Sequence, residues 1–325
     1  MHRIKKFLFK HGPLLATILI FFVVYFIGGQ LYPAMRKPQV FFNLFINNAS
    51  LLIISIGMTV VVIMKGIDLS VGAMIALTSV ASAALLMLGL NPVLVIILML
   101  IMGILFGLAM GSIIHYLKVE AFVVTLMGQF FARGMAYVIN RSSITISNSF
   151  YKFLALTKIP IPLFQNAYVY IPSLVAIVLL MITLIITTFT RFGRTVYAIG
   201  NNEHSAMLMG LPVARTKLIV YAFSGFCSAL AGIVFSISLL SGFGGYAQSM
   251  EMDAIASVVI GGTALTGGQG NVFGTLFGVL INGIIVTILQ FNGTLTSWWT
   301  RIGVGVLTLI FIGIQSLFYV RKKRV

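Results

Sequence analysis

The feature that most constrains this chain is a series of long apolar runs separated by short polar gaps. The runs extend for about 18–25 residues, which is the length a helix needs to cross the hydrocarbon core of a bilayer. Only 8% of the 325 residues are charged and 60% are hydrophobic, whereas soluble domains carry about 25% charged residues. The runs also lack the alternation over about ten residues that marks the strands of outer-membrane barrels. The sequence therefore predicts an all-α, polytopic membrane protein with one transmembrane domain, residues 1–325.

About ten membrane crossings are predicted, and the eighth is short and interrupted by glycine. They are residues 13–32, 45–64, 69–89, 92–116, 120–139, 169–189, 217–240, 253–266, 271–290 and 299–319. The longest outer loop is residues 140–168, in which Pro160 and Pro162 oppose a regular helix. The basic N-terminus and first apolar run resemble a signal peptide. Because no small-residue cleavage site follows, we expect a retained first helix.

The distribution of positive charge predicts the orientation. The net charge is +16, but Lys and Arg gather at the chain ends and in a few loops, which argues against nucleic-acid binding. With the N-terminus in the cytoplasm, the cytoplasmic segments hold 14 Lys and Arg and the outer loops hold 5. This bias predicts that both termini are cytoplasmic and that the number of crossings is even.

Two glycine patterns suggest an internal repeat. Glycine recurs at every fourth position in GILFGLAMG and in GNVFGTLFG, at Gly103, Gly107 and Gly111 and at Gly270, Gly274 and Gly278. Such spacing lets helix backbones approach closely in lipid. The two patterns fall in the fourth and ninth predicted spans, which run in opposite directions. Spans 2–5 and 7–10 are therefore either inverted halves, as in many transporters, or simply share a common packing motif.

The longest cytoplasmic loop, about residues 191–216, contains a short helix signal. Asn201 or Asn202 can cap its start, Glu203 suits its positive N-terminal end, Gly210 can end it and Pro212 prevents its continuation. A helix below about 12 residues is marginal in water. This fragment therefore needs a surface to pack against, which is either its own bundle and the lipid headgroups or a partner.

Three stretches carry a resemblance to a known family. RFGRTVYAIGNNEHSAMLMGLPVARTKLIVYAFSGFCSALAGIV (191–234), GIDLSVG (66–72) and DAIASVVIGGTALTGGQGNVFGTLFGV (253–279) resemble bacterial ABC sugar-importer permeases of the ribose type. Their order and spacing agree over nearly the whole chain. The stretch GTLTSWWTRIGVG (293–305) is most similar to the second permease subunit of galactofuranose and fructose importers.

This resemblance implies a transport subunit of the bacterial cytoplasmic (inner) membrane and not an enzyme. A sugar such as galactofuranose, fructose or ribose would be delivered by an external binding protein docking on 140–168 and 241–252. The path would lie between this chain and a sister permease, in a heterodimer or a homodimer. No cofactor is expected, because ATP would be bound by a separate ATPase subunit. The chain itself has no phosphate-binding loop with the pattern G-x-x-x-x-G-K-[ST].

In such permeases a short cytoplasmic helix inserts into the ATPase subunit and transmits its movement. The resemblance carries this role onto eight positions of the fragment described above. They are Glu203, His204, Ser205, Ala206, Met207, Leu208, Met209 and Gly210.

Few residues are candidates for a gate or translocation path, and they are four polar residues and two glycines. They are Asp68, Ser70, Glu251, Asp253, Gly261 and Gly262. For Asp68 the alternatives are a structural role, capping the next helix and pairing with Lys65, and a role in the gate. Glu251 and Asp253 either cap the eighth span, contact the binding protein or line the outer mouth.

The remaining signals narrow the function. Proton coupling needs a carboxylate in the middle of a span, and none is evident. This counts against the alternative function, an ion-coupled secondary transporter of a small neutral solute. A membrane scaffold is the third hypothesis. The four histidines lack the spacing of metal ligands. Arg133 and Arg301 either reach the outer interface or meet a carboxylate or a sugar hydroxyl, and Cys227 is expected to serve packing.

Overall fold

The computed structural model describes residues 2–164, 166–293 and eight positions between 299 and 313. The predicted tenth span and Arg301 lie largely outside these residues. The described part is mainly helical, as predicted. Its helices are α1 (His2–Leu31), α2 (Pro38–Asn47), α3 (Ala49–Ile63), α4 (Val71–Met87), α5 (Pro92–Tyr116), α6 (Ala121–Ile139), α7 (Ser149–Leu156), α8 (Ile171–Phe189), α9 (Arg191–Asn201), α10 (Glu203–Leu208), α11 (Val213–Leu239), α12 (Met250–Ile260) and α13 (Val272–Asn292), with a 3-10 turn at Pro33–Arg36.

Four short strands occur on the side predicted to face outwards. β1 (Ile144–Thr145) pairs antiparallel with β4 (Ser241–Gly242). β2 (Lys158–Pro160) pairs antiparallel with β3 (Tyr168–Tyr170). The predicted long outer loop is therefore ordered by α7 and by these two small sheets.

Six of the described helices are long and apolar enough to cross a membrane: α1, α5, α6, α8, α11 and α13. A seventh crossing results if α2 and α3 form one span, although they bend by 56°. The bend falls at Asn48, whose side chain donates to the Leu44 carbonyl oxygen at 2.8 Å. A polar side chain at a break in the helical ladder is an ordinary cause of such a kink.

The core of the bundle lies around α3, α4 and α11. Every residue of α3 is buried, and so are the first thirteen residues of α4. A helix that is apolar on all sides is buried on all sides, and α3 follows this rule. α11 packs along α3, α4 and α5 and connects them into one body.

The predicted glycine faces make close backbone contacts. A side chain at Gly107 would collide with the Tyr221 carbonyl oxygen on α11, and one at Gly103 would lie 2.5 Å from the Gly225 oxygen. On α13, Gly274 and Gly278 touch the carbonyl oxygens of Gly261 and Ser257.

One member of the second pattern lies elsewhere. Gly270 precedes α13 and packs against the side chain of Thr263, because the helix begins only after the Asn271 cap. The glycine face on α13 itself therefore consists of Gly274 and Gly278.

Two helices begin inside the bundle. α4 is preceded by non-helical residues 64–70, and α12 is preceded by turns at residues 243–249. At 1.5 Å per residue, the eleven residues of α12 span about 16 Å, which is half of the hydrocarbon core. The N-terminal ends of the two helices meet, because a side chain at Gly72 would collide with the Glu251 carboxylate.

Candidate coupling and gating sites

The fragment that is predicted to be cytoplasmic forms the short helix α10, as its start and stop signals predict. The Asn202 side chain accepts from Ser205 N at 2.9 Å and caps the N-terminus. At the other end, Leu211 N donates to the Ala206 oxygen at 3.1 Å and Gly210 N to the Met207 oxygen at 3.0 Å. Gly210 has φ = +74°. This pair of bonds around a left-handed glycine is a Schellman motif, which ends a helix sharply.

α10 is attached to its own bundle by one side only. Ala206 is fully buried, and it belongs to a buried cluster with Val196 and Val213. Glu203 and Lys217 form an ion pair at 2.7 Å, in which Glu203 is half exposed. An exposed pair of this kind contributes only about 0–1 kcal/mol. The attachment therefore rests mainly on the small Ala206 side chain and on the connections to α9 and α11.

The opposite side of α10 is apolar and exposed. Met207, Leu208 and Met209 are 58%, 75% and 67% exposed. They lie next to Glu203 and His204, which are exposed too. An exposed apolar group of this size in a loop is unfavourable in water unless another surface covers it.

α9 connects this fragment to the spans. The Thr190 hydroxyl accepts from Gly193 N at 3.3 Å at the start of α9, and a side chain at Gly200 would collide with the Ile63 carbonyl oxygen at the end of α3. Tyr197 donates through its hydroxyl to the Gly270 oxygen at 2.8 Å, and burial raises the pKa of that phenol. α9 therefore rests on the end of α3 and on the loop that joins α12 to α13, and α10 packs against α9 and α11.

Asp68 lies where the chain enters α4. Its Oδ1 accepts from Ser70 N at 3.0 Å and from the Ser70 hydroxyl at 2.6 Å, and its Oδ2 accepts from the Ser224 hydroxyl on α11 at 2.6 Å. The expected ion pair with Lys65 does not form in the described part of the chain, where Lys65 is exposed and Asp68 is 4% exposed. Neutral hydroxyl and amide donors satisfy the carboxylate instead.

Glu251 is equally buried, in the first turn of α12. Its Oε1 accepts from the Gln129 amide on α6 at 3.0 Å, while its Oε2 is buried against Gly72 without a hydrogen bond among the described residues. A buried carboxylate is not available to an external protein, so the expected docking surface at 241–252 does not include it. Asp253 is half buried in the same turn.

These groups form what we call the central junction, the region where the N-terminal ends of α4 and α12 meet α6. It contains Asp68, Ser70, Gln129 and Glu251. A side chain at Gly128 on α6 would lie 3.5 Å from the Ser70 Cβ, which joins α6 to the entrance of α4. Carboxylates inside a membrane protein are costly and usually functional.

The predicted gate residues therefore fall into two groups. Asp68, Ser70 and Glu251 lie in the central junction, whereas Gly261 and Gly262 lie at the other end of α12. There Gly261 packs on the backbone of Gly274, and Gly262 has φ = +91° and ends α12 with the same pair of hydrogen bonds as Gly210 ends α10. The glycines thus terminate and pack a helix, and they do not touch the carboxylates.

Arg133 lies on α6, and the sequence left its partners undecided. Its Nη1 donates to the carbonyl oxygens of Gly244 and Tyr246, at 2.8 and 2.5 Å, and it interacts electrostatically with Glu251. It therefore provides hydrogen bonds to backbone carbonyl oxygens in the turns before α12. Only the presence of an arginine in a predicted span signalled this position.

Comparison with known proteins gives a consistent result. The profile of the family described as "Branched-chain amino acid transport system / permease component" matches residues 40–314. The inner membrane ABC transporter permease protein YjfF of Escherichia coli is 44% identical over 94% of this chain and 92% of its own length. The fructose import permease protein FruG of Bifidobacterium longum is 37% identical over 93% and 90%, and the ribose import permease protein RbsC of Bacillus subtilis is 35% identical over 93% and 91%. No solved structure is significantly similar to the chain.

Proposed function

This chain belongs to the family of branched-chain amino acid transport system permease components, and from this premise we propose that it is the membrane-spanning subunit of an ATP-driven sugar importer. The observation that carries the proposal is the similarity, over more than nine-tenths of the chain, to permeases named for the import of fructose and ribose. A monosaccharide such as fructose, ribose or galactofuranose is the proposed cargo. The relatives favour this function over ion-coupled transport.

The coupling helix α10 supports a separate ATPase partner. A helix of six residues does not persist in water by itself. Among the described residues, α10 is attached to the bundle mainly through Ala206, an ion pair with Lys217 and its connections to α9 and α11. Its three exposed apolar side chains are suited to fill a groove on another protein, because apolar anchors on one helix face provide the affinity in helix-in-groove recognition. ATP is bound by that partner in the proposal, and this chain needs no cofactor.

The contacts of α9 suggest how movement would reach the spans. α10 moves with α9, whose Gly200 rests on the last turn of α3 and whose Tyr197 holds the Gly270 carbonyl. Gly270 lies in the loop between α12 and α13. A displacement of α10 by the ATPase would therefore be transmitted to α3 and to α12 through direct contacts.

α12 carries the movement to the central junction. Its N-terminal end holds Glu251, and it meets α4 at Gly72. We assign the gate to this junction, with Asp68, Ser70 and Glu251 as its polar groups and with Asp253 beside it in the first turn of α12. Gly261 and Gly262 provide the close packing that lets α12 move with α13. Discontinuous helices that meet inside the membrane are a common design for transport sites.

The proposed assembly has the remaining partners on the outside and in the membrane. A sister permease forms the path together with this chain, and an external binding protein docks on residues 140–168, where α7 and the β2–β3 hairpin are exposed. Both termini are placed in the cytoplasm, with about ten crossings of the bacterial inner membrane and one domain over residues 1–325. The inverted relation of spans 2–5 and 7–10 belongs to this proposal, since α4 and α12 both begin inside the bundle.

Reconstitution tests the function directly. The chain is incorporated into liposomes with its ATPase, sister permease and binding protein, and uptake of radiolabelled sugars is followed. We expect uptake that requires ATP and the binding protein. Uptake by this chain alone in response to a proton or sodium gradient would support the ion-coupled alternative and refute the proposal.

A further inference from the structure

Residues 243–249, which we call the gate segment, are the non-helical stretch between β4 and α12. They consist of turns, and Ala247 and Ser249 have φ values of +53° and +63°. This left-handed region is unfavourable for residues other than glycine, and such strain persists only where the surroundings impose it.

The gate segment extends deep into the bundle. It follows β4, which comes after the outer end of α11, and it ends at α12, whose first turn touches Gly72. Gly72 lies fifteen residues before the outer end of α4 at Met87, which corresponds to about 22 Å at 1.5 Å per residue. Non-helical backbone at this depth is tolerated only where protein covers it or where it borders a water-filled cavity.

Three side chains on one face of α6 contact the gate segment and the first turn of α12. Gln129, Arg133 and Tyr137 are spaced four residues apart and therefore lie above one another on the helix. Gln129 donates to Glu251, and Arg133 donates to the carbonyl oxygens of Gly244 and Tyr246. The ring of Tyr137 meets that of Phe243 edge-on, with centroids 6.3 Å apart. α6 thus contacts the first half of the gate segment, at Phe243, Gly244 and Tyr246, and the first turn of α12 at Glu251.

α6 is also the least apolar of the six candidate spans. Its mean hydropathy is 1.4, whereas the other five range from 2.1 to 3.0, and only 28% of it is buried within this chain. Charged groups in membrane helices face the protein interior or a water-filled cavity. Gln129 and Arg133 on α6 are accordingly directed at α12 and at the gate segment, whereas the exposed side chains of α6, such as Phe130 and Val138, are apolar.

We propose that the gate segment is the movable outer closure of the sugar path and that Arg133 is the latch that holds it shut. Arg133 satisfies two backbone oxygens that would otherwise face the path, and its guanidinium remains charged under all conditions. The unpaired Glu251 oxygen provides the alternative partner when the carbonyls are released. This inference rests on the proposed function and identifies the moving element within it.

The test uses the complete importer in proteoliposomes and a reporter cysteine on the gate segment. Gln248 is exposed, so Gln248→Cys can be labelled from outside with a membrane-impermeant maleimide. The native Cys227 is fully buried, and the protein without the reporter gives the background. Arg133→Gln and Arg133→Lys are compared with Gly134→Ala, because a methyl group at Gly134 meets nothing within 4 Å.

We expect Arg133→Gln to increase the labelling rate about tenfold, as for the loss of hydrogen bonds from a charged donor, and to increase ATP hydrolysis in the absence of binding protein. The labelling rate and ATP hydrolysis of Arg133→Lys should lie between those of the parent protein and those of Arg133→Gln, since an ammonium group replaces the planar guanidinium. Gly134→Ala should match the parent protein.

Labelling and basal ATP hydrolysis of Arg133→Gln within about twofold of the Gly134→Ala control would overturn the latch. A lower melting temperature with an unchanged labelling rate would assign Arg133 a purely structural role and also overturn it. Failure of the proposed function is recognised separately, since the parent importer would then show no uptake driven by ATP.

Discussion

The coupling helix and the central junction arrange polarity in opposite ways. In the junction, carboxylates are buried and receive hydrogen bonds from the chain itself, such as those from Ser70 and Ser224 to Asp68. On α10, apolar side chains are exposed, and Leu208 is three-quarters accessible. In the first region the chain itself supplies the hydrogen-bond partners of the carboxylates, except for Glu251 Oε2, whereas in the second the described part of the chain leaves the apolar face uncovered. The comparison teaches that the junction should determine stability and that α10 should determine communication with a partner.

The largest loss of stability is expected where helix backbones touch. Gly107→Leu places a side chain into the Tyr221 carbonyl oxygen, and overpacking of this kind costs about 3 kcal/mol or more. Thermal unfolding of the purified protein should show a large decrease in melting temperature. Gly134→Leu on α6 is the matched control, because its site is open. Equal melting temperatures for the two variants would contradict the close packing of α5 and α11. Gly274→Leu should lower the melting temperature by a similar amount to Gly107→Leu, because Gly274 touches the backbone of Gly261.

A smaller loss is expected for the carboxylate at the entrance of α4. Asp68→Ala removes the acceptor for Ser70 and Ser224. The net loss should be about 1.5–3 kcal/mol, the contribution of hydrogen bonding to a charged group, because removing the carboxylate also removes the cost of burying its charge. Asp68→Asn retains the shape and an acceptor oxygen, so its melting temperature should stay close to that of the parent. A loss of uptake in Asp68→Asn without a loss of stability would show that the charge itself serves the gate. Normal stability of Asp68→Ala would refute the structural role.

A substitution at the C-terminal end of the coupling helix α10 should destabilise the protein less than Asp68→Ala. Gly210→Ala keeps the chain at φ = +74° with a side chain present, which costs about 1–2 kcal/mol. Because α10 is at the periphery, global unfolding should change little, and the strain should appear as faster amide exchange in residues 203–211. Uptake per ATP hydrolysed should fall. Unchanged exchange there would indicate that the Schellman end is not needed for the helix.

The smallest effect on stability is expected on the exposed face of α10. Leu208→Asp should change the free energy of unfolding by less than about 0.5 kcal/mol, as usual for surface positions. Uptake should nevertheless be lost, because a charge would be placed in the groove of the ATPase. Lys217→Gln is the control, since it removes the surface ion pair with Glu203 and leaves the apolar face intact. Normal ATP-dependent uptake by Leu208→Asp would contradict the assigned role.

The sequence predicted what depends on local chemistry. The boundaries of α10 follow from Asn202 and Gly210, which cap and terminate it through their own side-chain and backbone properties. The glycines of α5 pack on α11 because their spacing permits little else. The membrane class follows from length and apolarity alone.

What depends on distant contacts could not be predicted. Asp68 binds Ser224, 156 residues away, and Lys65 was expected as its partner only because it is near in the chain. Arg133 reaches carbonyl oxygens more than a hundred residues away. The repeat remains a prediction. If spans 2–5 correspond to spans 7–10, the packing of the α5 glycines on α11 predicts that the α13 glycines pack on α3. They pack on α12 instead.

The most direct test of the central claim is a cross-link from α10. A photoreactive group on Leu208→Cys is activated in membranes that contain the whole importer, and the product is analysed by mass spectrometry. The account predicts that Leu208 becomes attached to the ATPase subunit and that the yield changes when ATP is bound. Attachment to lipid or to this chain alone, in an importer that still transports sugar, would contradict it.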